Sequence, residues 1–457
     1  MIDGGATLTR RLERYRASTR GLLAPAPPSV AAADLAGRLA DALDGEVIRT
    51  AEGVTVRCEA PSRPLPVDRI RLATLPGQPP AGIRLVCLDT ETTGLATAAG
   101  TVAFLIGLGW WEGERFRQVQ LLLPDHGEER ALLTALEAAI PPDAWLVTYN
   151  GRSFDWPLLV TRYRLARRAA PAHDGHLDLL PIVRRLFRHR MPDARLRTAE
   201  AELLGLRRVG DVDGWEIPGR YLGFLRGGPA ADLVDVVRHN DQDVRSLARL
   251  LAHLEGCLGD HASRSEAPPG DLAGLARSYA REHRLGEALA CLDSATDRVE
   301  AGPRTPPTSA PSSFRQRPDD EPWWSPRRPP DYGARQSRAA PATSARSSHV
   351  DAPWTTERIA IDRAHLLRRL GRYPEAAEAW ASLAAGPGRT AIVAAIELAK
   401  IHEHRLRDRP SALAAALRGL GFVERRRQLG RTEPALDADL GRRVTRLERR
   451  LVVRTGP

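Results

Sequence analysis

The sequence is short of lysine, of cysteine and of long apolar runs. Its longest apolar run, Val102 to Trp111, includes glycine and falls well below the roughly 18 to 20 residues a membrane-spanning helix needs. A transmembrane helix is excluded, and no membrane partner is expected. The N-terminal stretch carries Arg10, Arg11, Arg14, Arg16 and Arg20 and lacks the apolar core of about 7 to 15 residues that marks a secretory signal. The expected compartment is therefore the cytoplasm. Cys58, Cys87, Cys257 and Cys291 stand far apart, with no CxxC pair and no spacing that suits zinc. They read as reduced, structural thiols. A Gly-x-Ser-x-Gly elbow and a P-loop are missing too, which removes the usual signs of a serine hydrolase and of a nucleoside triphosphate cradle. Lys400 is the only lysine, so arginine supplies nearly all of the positive charge behind a formal net charge of +10. That balance suits a polyanionic partner such as nucleic acid. A compositional bias toward Arg, Ala, Gly and Pro accounts for the arginines equally well, so charge alone is weak support.

What is present describes a folded, soluble chain. Apolar residues make up 42% and charged residues 27% of 457 residues, enough for two or three units at roughly 100 to 200 residues each. A short basic helix precedes an amphipathic helix at Ala31–Leu43, and Glu46–Cys58 alternates like a strand hairpin. Pro61, Pro64, Pro66, Pro76, Pro79 and Pro80 then mark a boundary. Beyond it, apolar strands at Ile83–Leu88, Val102–Trp111, Phe116–Leu123, Trp145–Tyr149 and around Leu177–Leu180 alternate with helices at Glu128–Ala139, Trp156–Arg168 and Asp232–Glu255. Such alternation implies an α/β layered fold. The last helix is the longest and carries Leu233, Val237, Val244, Leu247, Leu251 and Leu254 on its apolar face.

Three acidic elements stand out. In Leu88-Asp89-Thr90-Glu91-Thr92-Thr93-Gly94-Leu95, extended backbone sends Asp89 and Glu91 to one face. Paired carboxylates repel unless something positive lies between them, and hard oxygen ligands suit Mg2+ or Mn2+. Acidic pairs at strand ends are common without any such role. In Tyr149-Asn150-Gly151-Arg152-Ser153-Phe154-Asp155, Asn-Gly makes a tight turn and Asp155 opens a helix, where it is a candidate ligand or an N-cap. In Arg238-His239-Asn240-Asp241-Gln242-Asp243, His239 and Asp243 lie four residues apart on one helical face, beside the buried stripe of Val244 and Leu247.

In this order the three elements resemble the DnaQ-like, or DEDD, family of 3′ to 5′ exonucleases on the RNase H-like fold. The stretches LDTETTGLATAAGTVAFLIGLGWWEGERF, TYNGRSFDWPLL and HLDLLPIVRRLF look like the YprB-type branch of that superfamily, over about residues 83 to 257. The resemblance implies an RNase H-like mixed sheet flanked by helices, with Asp89, Glu91, Asp155 and Asp243 as ligands of two Mg2+ or Mn2+ ions. His239 occupies the four-residue spacing at which the tyrosine subclass carries its general base, and is expected to position or deprotonate water. Tetratricopeptide-like helices are implied after the nuclease domain. LARSYAREHRLGEALACLDSA and IDRAHLLRRLGRYPEAAEAWASL share a small-residue pattern of helix pairs that fits them.

The expected division is residues 1–80 as an accessory segment, 81–259 as the exonuclease domain, 264–296 as a helical hairpin, 297–355 as a disordered linker and 356–457 as a helical-repeat region. Among weaker candidates, Asn150 either touches substrate phosphate or holds its turn. Asp178 is expected to cap or to brace, and Asp241 lies about 200° around the helix from His239, which makes it the lesser rival of Asp243. Trp110 and Trp111 read as core, while Trp323 and Trp324 in the linker are a docking motif or without a role. The expected activity is two-metal hydrolysis of single-stranded DNA or RNA. The alternatives are a non-catalytic scaffold whose repeats bind a protein partner and a structure-selective endonuclease.

Overall fold

The computed structural model describes residues 32–94, 100–301 and 353–452. The N-terminal basic helix, Leu95, and Trp323 and Trp324 with most of the expected linker lie outside the described residues. Those described form two compact units: residues 32–184 with 190–260, and residues 185–189 with 261–301 and 353–452.

The first unit is built on a seven-stranded mixed sheet. Its strands are β1 (Glu46–Thr50), β2 (Gly53–Pro64), β3 (Arg84–Thr92), β4 (Ala103–Glu112), β5 (Arg115–Leu122), β6 (Ala144–Thr148) and β7 (Gly175–Asp178), in the spatial order β1-β2-β5-β4-β3-β6-β7. Glu46–Cys58, expected as a strand hairpin in an accessory segment, falls within β1 and β2 and extends the sheet of this unit through the pairing of β2 with β5. That pairing is long-range, and strand periodicity carries no trace of it. Only β3, β6 and β7 run parallel, the arrangement that needs helical crossovers. The helices are α1 (Ala32–Leu43), α2 (Arg69–Ala73), α3 (Glu129–Ala139), α4 (Asp155–Leu165), α5 (Leu179–Phe187), α6 (Leu196–Ala199), α7 (Ile217–Leu225) and α8 (Val234–Leu258).

Strand alternation decides what each face of the sheet meets. On one face Val86, Leu88 and Leu108 join Leu132 and Leu136 of α3 and Leu35 and Leu39 of α1 in a buried core, and each fully buried leucine contributes roughly 1.5 to 3 kcal/mol. Phe104 of β4 stacks on Tyr221 of α7 with ring centroids 4.1 Å apart. On the other face α8 lies against Gly107 and Gly109 of β4. A Cβ at Gly107 would stand 2.7 Å from Val244 Cγ2 and closer still to Asn240 Oδ1. Glycine is therefore what lets the helix approach. Trp110 and Trp111, read as core, pack partly buried against that core and against Phe116 at 4.8 Å, respectively.

β3 pairs with β4 as far as Thr92 but with β6 only from Arg84 to Cys87. Past Cys87 the two parallel strands part at their carboxyl ends, which is where open α/β sheets place ligands.

The second unit is helical. It comprises α9 (His261–Glu266), α10 (Pro269–Arg281), α11 (Leu285–Glu300), α12 (Pro353–Arg369), α13 (Tyr373–Ala385), α14 (Gly388–Ile401), α15 (Arg409–Gln428) and α16 (Pro434–Val452), and from α10 onward each helix packs on the next. Fully buried alanines, among them Ala288, Ala376, Ala395 and Ala415, let the axes approach. Pro269, Pro374 and Pro410 stand in first turns, where a missing N–H costs nothing. α11 continues to Glu300, four residues into the segment expected as linker, because no breaker intervenes before Gly302-Pro303. No helix among the described residues is long and apolar enough to cross a membrane.

Candidate active site

Asp89 and Glu91 extend from the part of β3 that β6 has left and β4 still pairs, on the face that α8 covers. Asn240, fully buried on α8, donates from Nδ2 to Asp89 Oδ2 at 2.9 Å and to the Asp89 carbonyl at 3.3 Å, while its own Oδ1 accepts from Gln120 Nε2 at 3.0 Å. Asp155 begins α4, yet its side chain does not cap that helix. Its Oδ1 accepts from the Thr90 hydroxyl at 2.5 Å, so the residue between Asp89 and Glu91 anchors the third carboxylate.

The turn that delivers Asp155 is held from below. Asn150 sits at φ +70°, a left-handed conformation that asparagine tolerates. Buried Asp178 accepts from the backbone N–H groups of Asn150 at 2.7 Å, Leu180 at 3.0 Å and Arg152 at 3.3 Å. One carboxylate thereby ties the end of β6, the turn and the start of α5 together. Asp178 is the brace expected of it, and the turn gives Asn150 a role that needs no substrate.

Asp243 and His239 face the crevice from α8, one turn apart. Nε2 of His239 lies 3.6 Å from Asp243 Oδ2 and 3.9 Å from Glu91 Oε1, and its Nδ1 is bonded to Asp211 Oδ1 at 2.7 Å. Asp241, the weaker rival, points elsewhere: it is buried and paired with Arg245 on its own helix. The structure thus brings Asp89, Glu91, Asp155, His239 and Asp243 together and leaves Asp241 out.

Arg208, on the segment that follows α6, is absent from the sequence reading. Its buried guanidinium donates from Nε and Nη2 to the fully buried Glu200 at 2.7 and 2.6 Å, from Nη1 to Asp211 at 3.2 Å, and from Nη2 to Asp243. Ser246 of α8 adds a hydroxyl to Glu200 at 2.5 Å. Nothing periodic marks these residues. Glu200 lies in a π-turn (Glu200–Leu204) closed by Gly205 at φ +67°. Asn240 did leave a signal, since it continues the buried stripe of Val237 and Val244.

The electrostatics follow from counting charges. Six carboxylates, Asp89, Glu91, Asp155, Glu200, Asp211 and Asp243, share two cations, Arg208 and His239. Dry surroundings, with repulsion from Asp243, Asp155 and Glu91, lift the Asp89 carboxyl well above its usual range, against a partial offset from Asn240. Glu91 is pushed up to about 8 by burial and by Asp243 and Asp155, although His239 and Arg208 pull the other way. Asp155 is raised by burial despite the Thr90 hydrogen bond. Burial would lower His239, but the bond to Asp211 and the charges of Asp243 and Glu91 outweigh it and raise the ring to about 9. In this arrangement the ring holds its proton between Asp211, Asp243 and Glu91.

Among the described residues no three His, Cys, Asp or Glu side chains form a finished cation cage. Asp89, Asp155 and Asp243 each give an oxygen to a protein donor, Asn240, Thr90 and Arg208. The donor set nonetheless fits divalent cations. It is made of hard oxygens, it carries more negative charge than its own cations balance, and the Glu91 and Asp243 side chains keep 13% and 16% exposure, so an ion can enter.

Part of the first unit matches a known superfamily. Residues 86–255 match the RNase_H_2 family of the RNase_H superfamily, which contains the whole crevice from β3 to α8. The fold of the first unit is accordingly RNase H-like, a nuclease fold. The uncharacterized protein YprB of Bacillus subtilis (strain 168) is 40% identical over 186 residues, 40% of this chain and 44% of that protein, so the chain spans less than half the length of the curated relative it matches. Among solved structures, the family B DNA polymerase from the hyperthermophilic archaeon Pyrobaculum calidifontis aligns at a TM-score of 0.31 and 17% identity, over 45% of this chain and 30% of that one. So low a score carries no argument about fold or function.

Proposed function

We propose that the first unit is a metal-dependent nuclease that shortens single-stranded DNA or RNA from the 3′ end. The observation that carries this reading is the gathering of Asp89, Glu91, Asp155 and Asp243, from a strand, a turn and a helix, at one crevice where they outnumber the cations beside them. The match to a nuclease superfamily and the net charge of +10 support the substrate class. The four carboxylates would hold two Mg2+ or Mn2+ ions. Bound there, such ions supply Lewis-acid charge for the activation of water and for the departing oxygen.

The chain's own residues set the frame. Asn240, Thr90 and Arg208 each fix one oxygen of Asp89, Asp155 and Asp243, which sets the direction of the other. His239, anchored on Asp211 through Nδ1, presents Nε2 to Glu91 and Asp243 and is placed to hold or pass a proton at that atom. No nucleophilic side chain is required. The tetratricopeptide-like reading of the second unit belongs to the same proposal, supported by the stacking of successive helices over buried alanines.

End-labelled single- and double-stranded DNA and RNA, incubated with Mg2+, Mn2+ or EDTA, test the activity. A ladder shortening from the 3′ end, lost in EDTA and in Asp243→Asn, is expected. Intact substrate with both metals, or cleavage that persists in EDTA, overturns it, and internal cuts would make the protein an endonuclease.

A further inference from the structure

In the second unit, α16 presents a shallow groove of about 480 Å3 lined by Arg442, Thr445, Arg446, Arg449 and Arg450. The spacing is helical, since residues three, four and seven apart share a face. A rise of 1.5 Å per residue sets Arg442 and Arg449 about 10 Å apart along the axis. Under the groove lies Glu403, a buried carboxylate in the π-turn after α14. It accepts from Arg443 Nη1 at 2.8 Å and from Arg446 at 2.7 and 3.0 Å, with Arg450 Nη1 at 3.6 Å. One carboxylate thus orders three guanidinium groups and neutralises one of them. Arg442 and Arg449 are exposed and have no carboxylate partner among the described residues. Glu448, on the same helix, does not line the groove.

We infer that this arginine groove is a binding surface for the phosphodiester backbone of a nucleic acid, separate from the catalytic crevice. Guanidinium groups match phosphate oxygens with paired donors, and Glu403 holds part of the array in place before any ligand arrives. A protein partner would ask for apolar or aromatic anchors in the middle of its patch, and the lining offers none. A membrane surface suits a basic face flanked by apolar side chains that insert; this lining is arginine and threonine and includes no such side chain. The inference goes beyond the nuclease reading, and its test is run without metal, so that binding is read whether or not the protein cleaves.

The full-length protein in EDTA is titrated with a fluorescent oligothymidylate and an oligouridylate from about 50 to about 200 mM salt. In Arg442→Ala/Arg449→Ala, loss of two phosphate contacts should flatten the slope of log affinity against log salt by roughly 1.4 and weaken binding roughly tenfold near physiological salt. Arg442→Lys/Arg449→Lys should keep most of the slope. Arg84→Ala/Arg372→Ala removes the same charge from exposed ion pairs elsewhere and should leave the slope close to that of the unmodified protein. An unchanged slope in the groove variant with a native circular dichroism spectrum overturns the inference, as does an equal change in the control variant. Binding to phosphatidylserine vesicles that falls in the groove variant while oligonucleotide binding stays would hand the surface to a membrane instead.

Discussion

Replacing Arg208 by methionine keeps a long side chain and removes its charge. In the native structure this guanidinium is 3% exposed and satisfies both oxygens of Glu200, which is not exposed at all, together with Asp211 and Asp243. The variant leaves Glu200 buried with only the Ser246 hydroxyl for company. Removing one partner of a buried ion pair costs about 3 to 5 kcal/mol, most of it from the charge left behind. The second substitution in Arg208→Met/Glu200→Leu removes that stranded charge. It should recover about half of the loss, roughly 1.5 to 2.5 kcal/mol, since Asp211 and Asp243 still lack their partner, and the coupling is that recovery plus the cost of Glu200→Leu alone. Because the chain has two units, a single global unfolding free energy is ill-defined. Amide hydrogen exchange of peptides covering residues 196–212 and 234–258, in EDTA, reads the local opening instead. The expected result is exchange faster by a factor of roughly a few hundred to a few thousand in both peptides for Arg208→Met, with partial protection restored in the double variant. A loss below about 1 kcal/mol, or strictly additive single effects, would refute the claim that this buried pair organises the crevice.

Asp89→Ala should lose metal-dependent cleavage by more than the roughly 10- to 100-fold that removal of a ligand's supporting partner costs. Amide exchange of peptides covering β3 and α8 in EDTA should not quicken, because one of several repelling carboxylates has gone; faster exchange contradicts the charge count. Gly107→Ala drives a methyl into Val244 and Asn240 and should cost about 1 to 3 kcal/mol by overpacking. Unaltered exchange of α8 in that variant would mean the helix does not rest where the structure puts it. His176, buried beside the Thr148 hydroxyl, is lowered to about 4 from 6.5 by burial and then by Arg152 and His173. A histidine whose folded value is depressed binds fewer protons folded than unfolded between those two values, so stability rises with pH across that window. Acidification from pH 7 to 5 should weaken protection of β7 by about 2 kcal/mol, and His176→Asn should flatten the dependence. Equal acid sensitivity in that variant assigns the effect to another group.

Periodicity is a property of the chain itself, so whatever depended on it could be read in advance. Asp89 and Glu91 share a face because alternate residues of a strand do. Asp243, and not Asp241, reaches the crevice because a helix turns about 100° per residue, and Asp241 ends on Arg245. The alternation of strands and helices from Ile83 onward likewise became the sheet. What could not be read is what tertiary pairing alone decides. That β2 lies beside β5 follows from a contact between segments some sixty residues apart. Glu200, Arg208 and Asp211 are ordinary charged residues in an aperiodic stretch, and only the folded chain shows that they meet under Asp243. The protonation of His239 is hidden for the same reason, since it depends on Asp211.

The one-sided pairing of β3 beyond Cys87 divides the crevice into a fixed and a movable side. Asp89 and Glu91 ride on a strand whose backbone is bonded to β4 as far as Thr92, so their separation is set by the pleat and resists change. Asp155 arrives at the end of a turn, and Asp243 on a helix that meets the sheet through Gly107 and Gly109 and through the side chains of Gln118 and Gln120. Whatever adjustment the crevice makes between one occupant and another therefore falls on Asp155 and Asp243, with the β3 carboxylates as the anvil. Variants that alter Gly107 or Asp178 should change which occupants are accepted before they change whether the chain folds.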